Sequence, residues 1–310
     1  MMARNWLRLL IPGACLAAFC VYAQAHYSVV KESIVKQRLD FYKGNDAKRE
    51  AALIQLFEEA GCSKPRLTEQ DVPSRKQPNV LCVLPGSTEE TIVVGAHFDH
   101  VSEGEGVIDN WSGAALLPSL FQSLAGSPRK HTFVFVGFTG EEEGLIGSSY
   151  YVQQLSANQI AKIEAMINLD TLGLDSTKIW VSQSDPRLVN GLANLAHAMD
   201  LPVQGVNVNG FGESDEESFI AEKVCALVVH SLTPQNAHIL HGPEDNPSAM
   251  HFSDYYDTYR LLAAYLTLLD TSLQQDGHVC TATPVEDFSR RRRMRVKERY
   301  IPSEPSPAKQ

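Results

Sequence analysis

"TIVVGAHFDHV", residues 91–101, decides how the rest of the chain is read. Ile92, Val93, Val94 and Ala96 lack the polar alternation of a half-solvated strand, so the run reads as a strand covered on both faces. His97, Asp99 and His100 stand at its end, where an apolar core has no use for them. Four similar runs follow: "TFVFVGF" (132–138), "KIEAMINLD" (162–170), "KIWVSQ" (178–183) and "VCALVVHS" (224–231). Helical stretches lie between them: "WSGAALLPSLFQSLAG" (111–126), "GLIGSSYYVQQL" (144–155), "PRLVNGLANLAHAM" (186–199) and finally "DYYDTYRLLAAYLTLLDTSL" (254–273). Residues 29–60 also read as helix, with Leu53, Leu56 and Phe57 at helical spacing before Gly61. Pro118 sits inside the second helical stretch, where it is expected to kink or break it.

Continuous apolar strands alternating with helices predict an α/β fold: a single domain with a central mixed, mostly parallel β-sheet sandwiched by helices. The chain of 310 residues, 44% hydrophobic and 21% charged, suits one such domain over residues 26–283. The first 25 residues stand apart. Arg4 and Arg8 precede "LLIPGACLAAFCVYAQA" (9–25), which ends in Ala23-Gln24-Ala25, and this pattern predicts a secretory signal peptide over residues 1–25. Phe19 before Cys20 is too bulky for a lipoprotein cleavage site, and the apolar run is too short for a stable membrane anchor. Export would place the protein in the periplasm or outside the cell. There Cys62 and Cys82, which flank the polar stretch 63–81, are suspected to form a disulfide, while Cys225 in its apolar run reads as a buried thiol.

The formal net charge of −10 conceals an asymmetry. Residues 289–310 carry 8 Lys/Arg against 2 acids, so 284–310 reads as a basic, disordered tail. With the two leader arginines set aside, 17 basic residues face 35 acidic ones in the domain between. Such a domain repels nucleic acid and suits cationic partners or bound cations.

In a sheet of this kind ligands collect at the carboxyl ends of the strands. His97, Asp99 and His100 follow the first run, Glu141, Glu142 and Glu143 the second, and Asp170 the third; Asp109 precedes a helix and His241 lies beyond the last strand. Alone, each is a hydrogen-bonded pair, a solvated face or a helix cap. Together, nitrogen and carboxylate donors without cysteine suit a catalytic zinc site that keeps a position open for water. More oxygen donors than one zinc needs suggest two metals sharing a carboxylate.

"GAHFDHV" (95–101), "DNWSGAA" (109–115), "GEEEGLIGSSYY" (140–151) and "INLDTLG" (167–173), in this order, resemble the di-zinc aminopeptidases of the secreted bacterial leucyl aminopeptidase and aminopeptidase Y type. The resemblance covers roughly residues 30–272. It implies two Zn2+ per chain, with His97 and Asp170 on one, Glu142 and His241 on the other, and Asp109 between them. It implies that Glu141 is the general base, that Asp99 accepts a hydrogen bond from the His97 ring, and that the Asp109–Asn110 peptide is cis. The substrates implied are peptides with a free N-terminus. His230, His238 and His251 compete with His241 for the last ligand position. His100 reads as a structural neighbour and Glu143 as helix surface. Ser214, Asp215 and Glu216 in "GESDEESF" (212–219) stand where related sequences often show a His after the Asp, so their role is open between site and helix cap. The alternatives on the same scaffold are a single-zinc glutaminyl-peptide cyclase and a carboxypeptidase, with a non-catalytic binding module as the third.

Overall fold

The structure is a computed structural model that describes residues 27–42, 44–208, 212–273, 280 and 299–300. The leader (1–25) and all of the tail except Arg299–Tyr300 lie outside the described residues.

The strands are β1 (Leu67–Gln70), β2 (Asn79–Leu84), β3 (Thr91–His97), β4 (Thr132–Phe138), β5 (Ile163–Leu169), β6 (Lys178–Ile179), β7 (Gln204–Asn207) and β8 (Ala226–His230). They form one sheet in the order β1-β2-β4-β3-β5-β8-β6-β7, with the two-residue β9 (Arg299–Tyr300) beside β7. The inner four strands, β4-β3-β5-β8, are parallel; β2 and β6 run antiparallel to their inner neighbours, β4 and β8. Beyond their first one or two residues, β3, β4 and β5 are buried, and β8 is buried throughout, as strands covered on both faces must be.

The helices are α1 (Glu32–Leu39), α2 (Asp46–Glu59), α3 (Ser112–Ala125), α4 (Ile146–Gln153), α5 (Ala157–Ile160), α6 (Pro186–Ala198), α7 (Glu216–Ala221) and α8 (Phe252–Ser272). Side chains of α1, α2, α3, α6 and α8 pack with Ile92, Val94 and Ala96 of β3 on one face of the sheet. Tyr151 and Val152 of α4 and Phe219 of α7 pack with Val93, Val134, Val136 and Met166 on the other. The central sheet with helices on both faces is the architecture the sequence predicts.

The sequence reading fails at four places in the fold. Residues 29–60 form two helices: Gly44 takes a left-handed φ of 117°, and Asn45 then caps α2 by accepting the Lys48 amide. Pro118 does not break α3, which runs from Ser112 to Ala125 with nearly every side chain buried; packing outweighs the ~3 kcal/mol cost of an interior proline. "KIWVSQ" gives only the two-residue β6, antiparallel to β8, before a 3₁₀ turn. Cys225 is no free thiol. It is bonded to Cys280, beyond the end of α8, in addition to the anticipated Cys62–Cys82 bridge.

Candidate metal centre

Because β4, β3, β5 and β8 are adjacent and parallel, their carboxyl ends open onto one crevice. His97 is the last residue of β3, Asp170 follows β5, Glu141 and Glu142 follow β4 in a tight turn, and His241 lies in the loop after β8. Asp109 sits in the one-turn segment Val107–Trp111 ahead of α3, and its peptide bond to Asn110 is cis.

Asp109 stands between the two histidines. Its Oδ1 lies 3.3 Å from Nε2 of His97 and its Oδ2 lies 3.1 Å from Nε2 of His241. Around His97 Nε2, Asp170 Oδ1 is at 3.7 Å and Glu141 Oε2 at 3.9 Å; Glu142 Oε2 is 3.0 Å from His241 Nε2. Donor atoms of His97, Glu141 and Asp170, and of His97, Asp109 and Glu142, lie within 4.8 Å of one another. The His97 ring Nδ1 lies 3.2 Å from the Asp99 carbonyl oxygen. A carbonyl only accepts, so Nδ1 carries a proton and Nε2 is the ring nitrogen that faces the cluster.

The electrostatics follow from this crowding. Burial alone would raise the Asp109 carboxyl, but hydrogen bonds from His241 and His97 outweigh it and hold the group below the usual carboxylate range. Burial opposes protonation of His97, yet Glu141, Asp109 and Asp170 around it prevail and raise it well above an ordinary imidazole. Asp109 and Glu142 push His241 up to about 10. Burial, reinforced by the neighbouring carboxylates, pushes Glu141 up to about 10 as well, with His97 acting in the opposite sense.

Of the four competing histidines, the structure brings only His241 to the cluster. His230 is buried with Nε2 donating to the Val206 carbonyl (2.9 Å) and Nδ1 accepting the Leu232 amide (3.0 Å), and burial lowers it to about 4. His238 pairs with Glu244 at 3.1 Å and His251 lies 3.7 Å from Asp254, both on the surface. His241 has a left-handed φ of 54°, a conformation costing a non-glycine residue about 1–3 kcal/mol unless its surroundings fix it. His100 pairs with Asp46 of α2, and Glu143 pairs with Arg75.

The Asp99 side chain acts elsewhere than the resemblance implies. Its carboxylate lies 3.8 Å from His97 Nδ1 and instead accepts the backbone amides of Glu141 (3.2 Å) and Glu142 (3.3 Å). It therefore fixes the turn that carries the two glutamates, and only its backbone carbonyl steers the His97 ring. Ser214 donates to Asp170 Oδ2 at 2.6 Å. Asp215 and Glu216 are buried at the start of α7, and burial pushes their carboxyls up to about 7 and about 8.

Three further residues support the site. The fully buried Arg49 of α2 donates to the carbonyls of Tyr42, Phe98, Glu105 and Gly106, pinning both ends of the connection that runs from Phe98 to Gly106. Asn110 donates to the Leu169 carbonyl and accepts the Gly113 and Thr171 amides, which joins the Asp109 turn to the Asp170 turn. Asp245 accepts the amides of Ile108 and Asp109. Neither Arg49 nor Asp245 has a periodicity or spacing in the sequence that singles it out.

The donors fit a bound cation. Oε1 of Glu142 is buried and accepts no hydrogen bond among the described residues, an arrangement that costs free energy unless a positive centre faces it. Several carboxylates converge within one shell of His97, and no thiolate takes part. The cleft above them has a volume of about 220 Å³, and Trp180, Val208, Val228, Leu232 and Leu240 form its apolar wall.

The sequence pattern described as Peptidase family M28 matches residues 79–266. Leupeptin-inactivating enzyme 1 of Streptomyces exfoliatus is 33% identical over 189 residues, which are 59% of this chain and 40% of that protein. The chain thus spans less than half the length of that curated relative. In fold it is similar to the LapA aminopeptidase of Legionella pneumophila, with TM-score 0.69 and 22% identity over 79% of this chain and 73% of that one. It is also similar to a glutaminyl cyclase from an Acidobacteriales bacterium, with TM-score 0.62 and 18% identity over 77% of this chain and 93% of that one. At these identities the two likenesses speak for the α/β fold alone.

Proposed function

The chain belongs to peptidase family M28, and on that premise we propose that it is a zinc-dependent aminopeptidase holding two Zn2+, which releases the N-terminal residue of peptides. The observation that carries this reading is the position of Asp109, whose two carboxylate oxygens face two different imidazoles at 3.3 and 3.1 Å. One carboxylate shared between two nitrogen donors is the arrangement a co-catalytic pair requires.

His97 and Asp170 would hold one zinc, Glu142 and His241 the other, with Asp109 bridging. When bound, the zinc pair supplies a water of lowered pKa and polarises the scissile carbonyl. Glu141 takes the proton of the attacking water and passes it to the leaving amine. Asp99 holds Glu141 and Glu142 in place through their backbone amides, so the base and a ligand move as one body. The surplus of carboxylates attracts the substrate's amino terminus, and the apolar wall of Trp180, Val228, Leu232 and Leu240 suits an aliphatic or aromatic first side chain.

Export into an oxidising compartment is part of the proposal. Two disulfides, Cys62–Cys82 and Cys225–Cys280, support it beside the leader-like first 25 residues. No helix among the described residues is long and apolar enough to cross a membrane.

The test is release of p-nitroaniline from free and N-blocked aminoacyl-p-nitroanilides by the purified chain, with and without chelator, beside Glu141→Ala. Chelator-sensitive cleavage of unblocked substrates only, lowered ~10²–10⁴-fold in the variant while zinc content holds at two, supports the reading. A chain that carries one zinc and converts N-terminal glutamine to the pyroglutamyl form is a cyclase instead.

A further inference from the structure

One chain of hydrogen bonds beside the centre is not used by the chemistry above. Ser214 donates to Oδ2 of Asp170 at 2.6 Å, Asn168 Nδ2 donates to Ser214 Oγ at 2.8 Å, and the same Nδ2 donates to Oε2 of Glu216 at 2.8 Å. Asn168, Ser214 and Glu216 are buried, Glu216 completely. Oδ1 of Asn168 has no hydrogen-bond partner among the described residues.

We infer that Glu216 is a positioning residue for the zinc ligand Asp170, acting through Asn168 and Ser214; the inference rests on the two-zinc reading. The direction of each bond follows from the donor inventory. Oε2 of Glu216 accepts from Asn168 Nδ2, and this acceptor holds the Asn168 amide with its NH2 group toward Glu216 and Ser214. Ser214 Oγ then accepts a hydrogen bond from Asn168, and its single hydroxyl proton points to Asp170. Oδ2 of Asp170 is occupied by that donor, while Oδ1, which accepts the Thr171 hydroxyl at 3.0 Å, is the oxygen facing His97 Nε2 at 3.7 Å. Without Glu216, the Asn168 amide is free to turn its carbonyl oxygen to Ser214. The hydroxyl would then donate to Asn168, and Oδ2 of Asp170 would lose its 2.6 Å donor and with it the hold on the carboxylate's rotation. The cost of the arrangement is visible in the orphaned Asn168 oxygen, which a flipped amide would satisfy.

The effect is confined to one of the two metal positions, because Glu142 and His241 share none of these bonds. Purified full-length wild type, Glu216→Gln, Glu216→Ala, Ser214→Ala and the Glu216→Ala/Ser214→Ala pair are stripped of metal and titrated with zinc against a competing chromophoric chelator. Glu216→Ala is expected to weaken one of the two zinc steps ~10–100-fold and leave the other unchanged, the magnitude usual for residues that orient a ligand. Glu216→Gln keeps an accepting oxygen and is expected to stay within ~3-fold of wild type. In the Ser214→Ala background, Glu216→Ala is expected to add nothing further. If Glu216→Ala does not fold, Glu216→Gln beside Asn168→Ala carries the same comparison, with Asn168→Ala weakening the one step and Glu216→Gln not. Two steps that weaken together, or neither, overturn the inference while leaving the two-zinc reading intact. A wild-type chain that takes up a single zinc overturns both.

Discussion

Asp245 accepts the backbone amides of Ile108 and Asp109, at 2.7 and 3.1 Å, and thereby fastens the loop that carries His241 to the turn that carries Asp109. The Asp245 carbonyl also accepts the Glu105 amide at 2.7 Å, so the two segments are joined at both ends of the turn. The seating of the His241 loop against the Asp109 turn is therefore set by one buried residue that bonds neither the His241 ring nor the Asp109 carboxylate.

Removing that fastening should loosen one metal position more than the other. Asp245→Ala leaves two buried amides without an acceptor, and each charge-assisted bond is worth about 1.5–3 kcal/mol. A fall in melting temperature together with ~10–100-fold weaker zinc binding is expected, with Asp245→Asn intermediate because it retains one accepting oxygen. Chelator competition and thermal melts read both quantities. Zinc binding unchanged in Asp245→Ala would show that the His241 loop holds itself.

Gly113 is the second mechanical point. A Cβ there would stand 2.5 Å from the Leu169 carbonyl oxygen and 2.6 Å from Oδ1 of Asn110, and neither neighbour is a flexible chain end. Gly113→Ala should therefore cost upwards of about 1–3 kcal/mol and spread the Asp109 and Asp170 turns apart. Gly126→Ala, at the far end of α3 with nothing within 4 Å of its Cβ, should be neutral within about 0.5 kcal/mol. Equal melting temperatures for the two variants would refute the close-packing account.

Asp270 near the end of α8 accepts the amides of Lys130 and His131 and faces the His131 ring at 3.2 Å. Burial works to raise this carboxyl, but the hydrogen bonds from His131 and the two amides outweigh it and hold it below the usual carboxylate range. A depressed folded-state pKa contributes stability that is present above the ordinary aspartate value of about 3.9 and is lost as pH falls through the folded value. Wild type should thus outlast Asp270→Asn at pH 7, and the gap in melting temperature should close below about pH 4. A gap that widens in acid would mean that the wrong group had been assigned the linkage.

Metal removal should be felt in stability as well as in activity. Zinc held only by the folded chain adds RT ln(1 + [L]/Kd), about 4 kcal/mol at a thousandfold excess over Kd. Melting temperature should rise with added zinc and fall with chelator. Glu142→Gln, which replaces the carboxylate holding the buried Oε1, should blunt the rise. An identical melting curve with and without zinc would contradict a preformed cation site.

Much of this was legible from sequence because apolar, double-faced strands announce themselves: the bounds of β3 and β4 match their sequence runs, and His97, Glu142 and Asp170 stand at or just after strand ends in one crevice with Asp109 and His241. β1 was hidden in a polar, proline-bearing stretch, since an edge strand with one exposed face lacks a continuous apolar run, whereas β2 beside it carries a short apolar run, residues 80–84, that was legible. Cys225 read as a thiol because its partner Cys280 is 55 residues away, and only the folded path of α8 brings them together. Arg49, Asp245 and Asn168 left no signal because they act on backbone groups or through a neighbour. Asp99 was recognised as a site residue, but the partner of its carboxylate was not, because backbone amides of another turn cannot be read from spacing.

The donors of the cluster arrive from four separate connections, after β3, β4, β5 and β8, the first at residue 97 and the last at residue 241. No fragment of the chain that stops before β8 is seated beside β5 possesses more than a partial set. For a peptidase this amounts to a timer: the growing chain stays chemically inert through most of its synthesis, and the proposed cleavage becomes available only once the last central strand and its following loop have closed over Asp109.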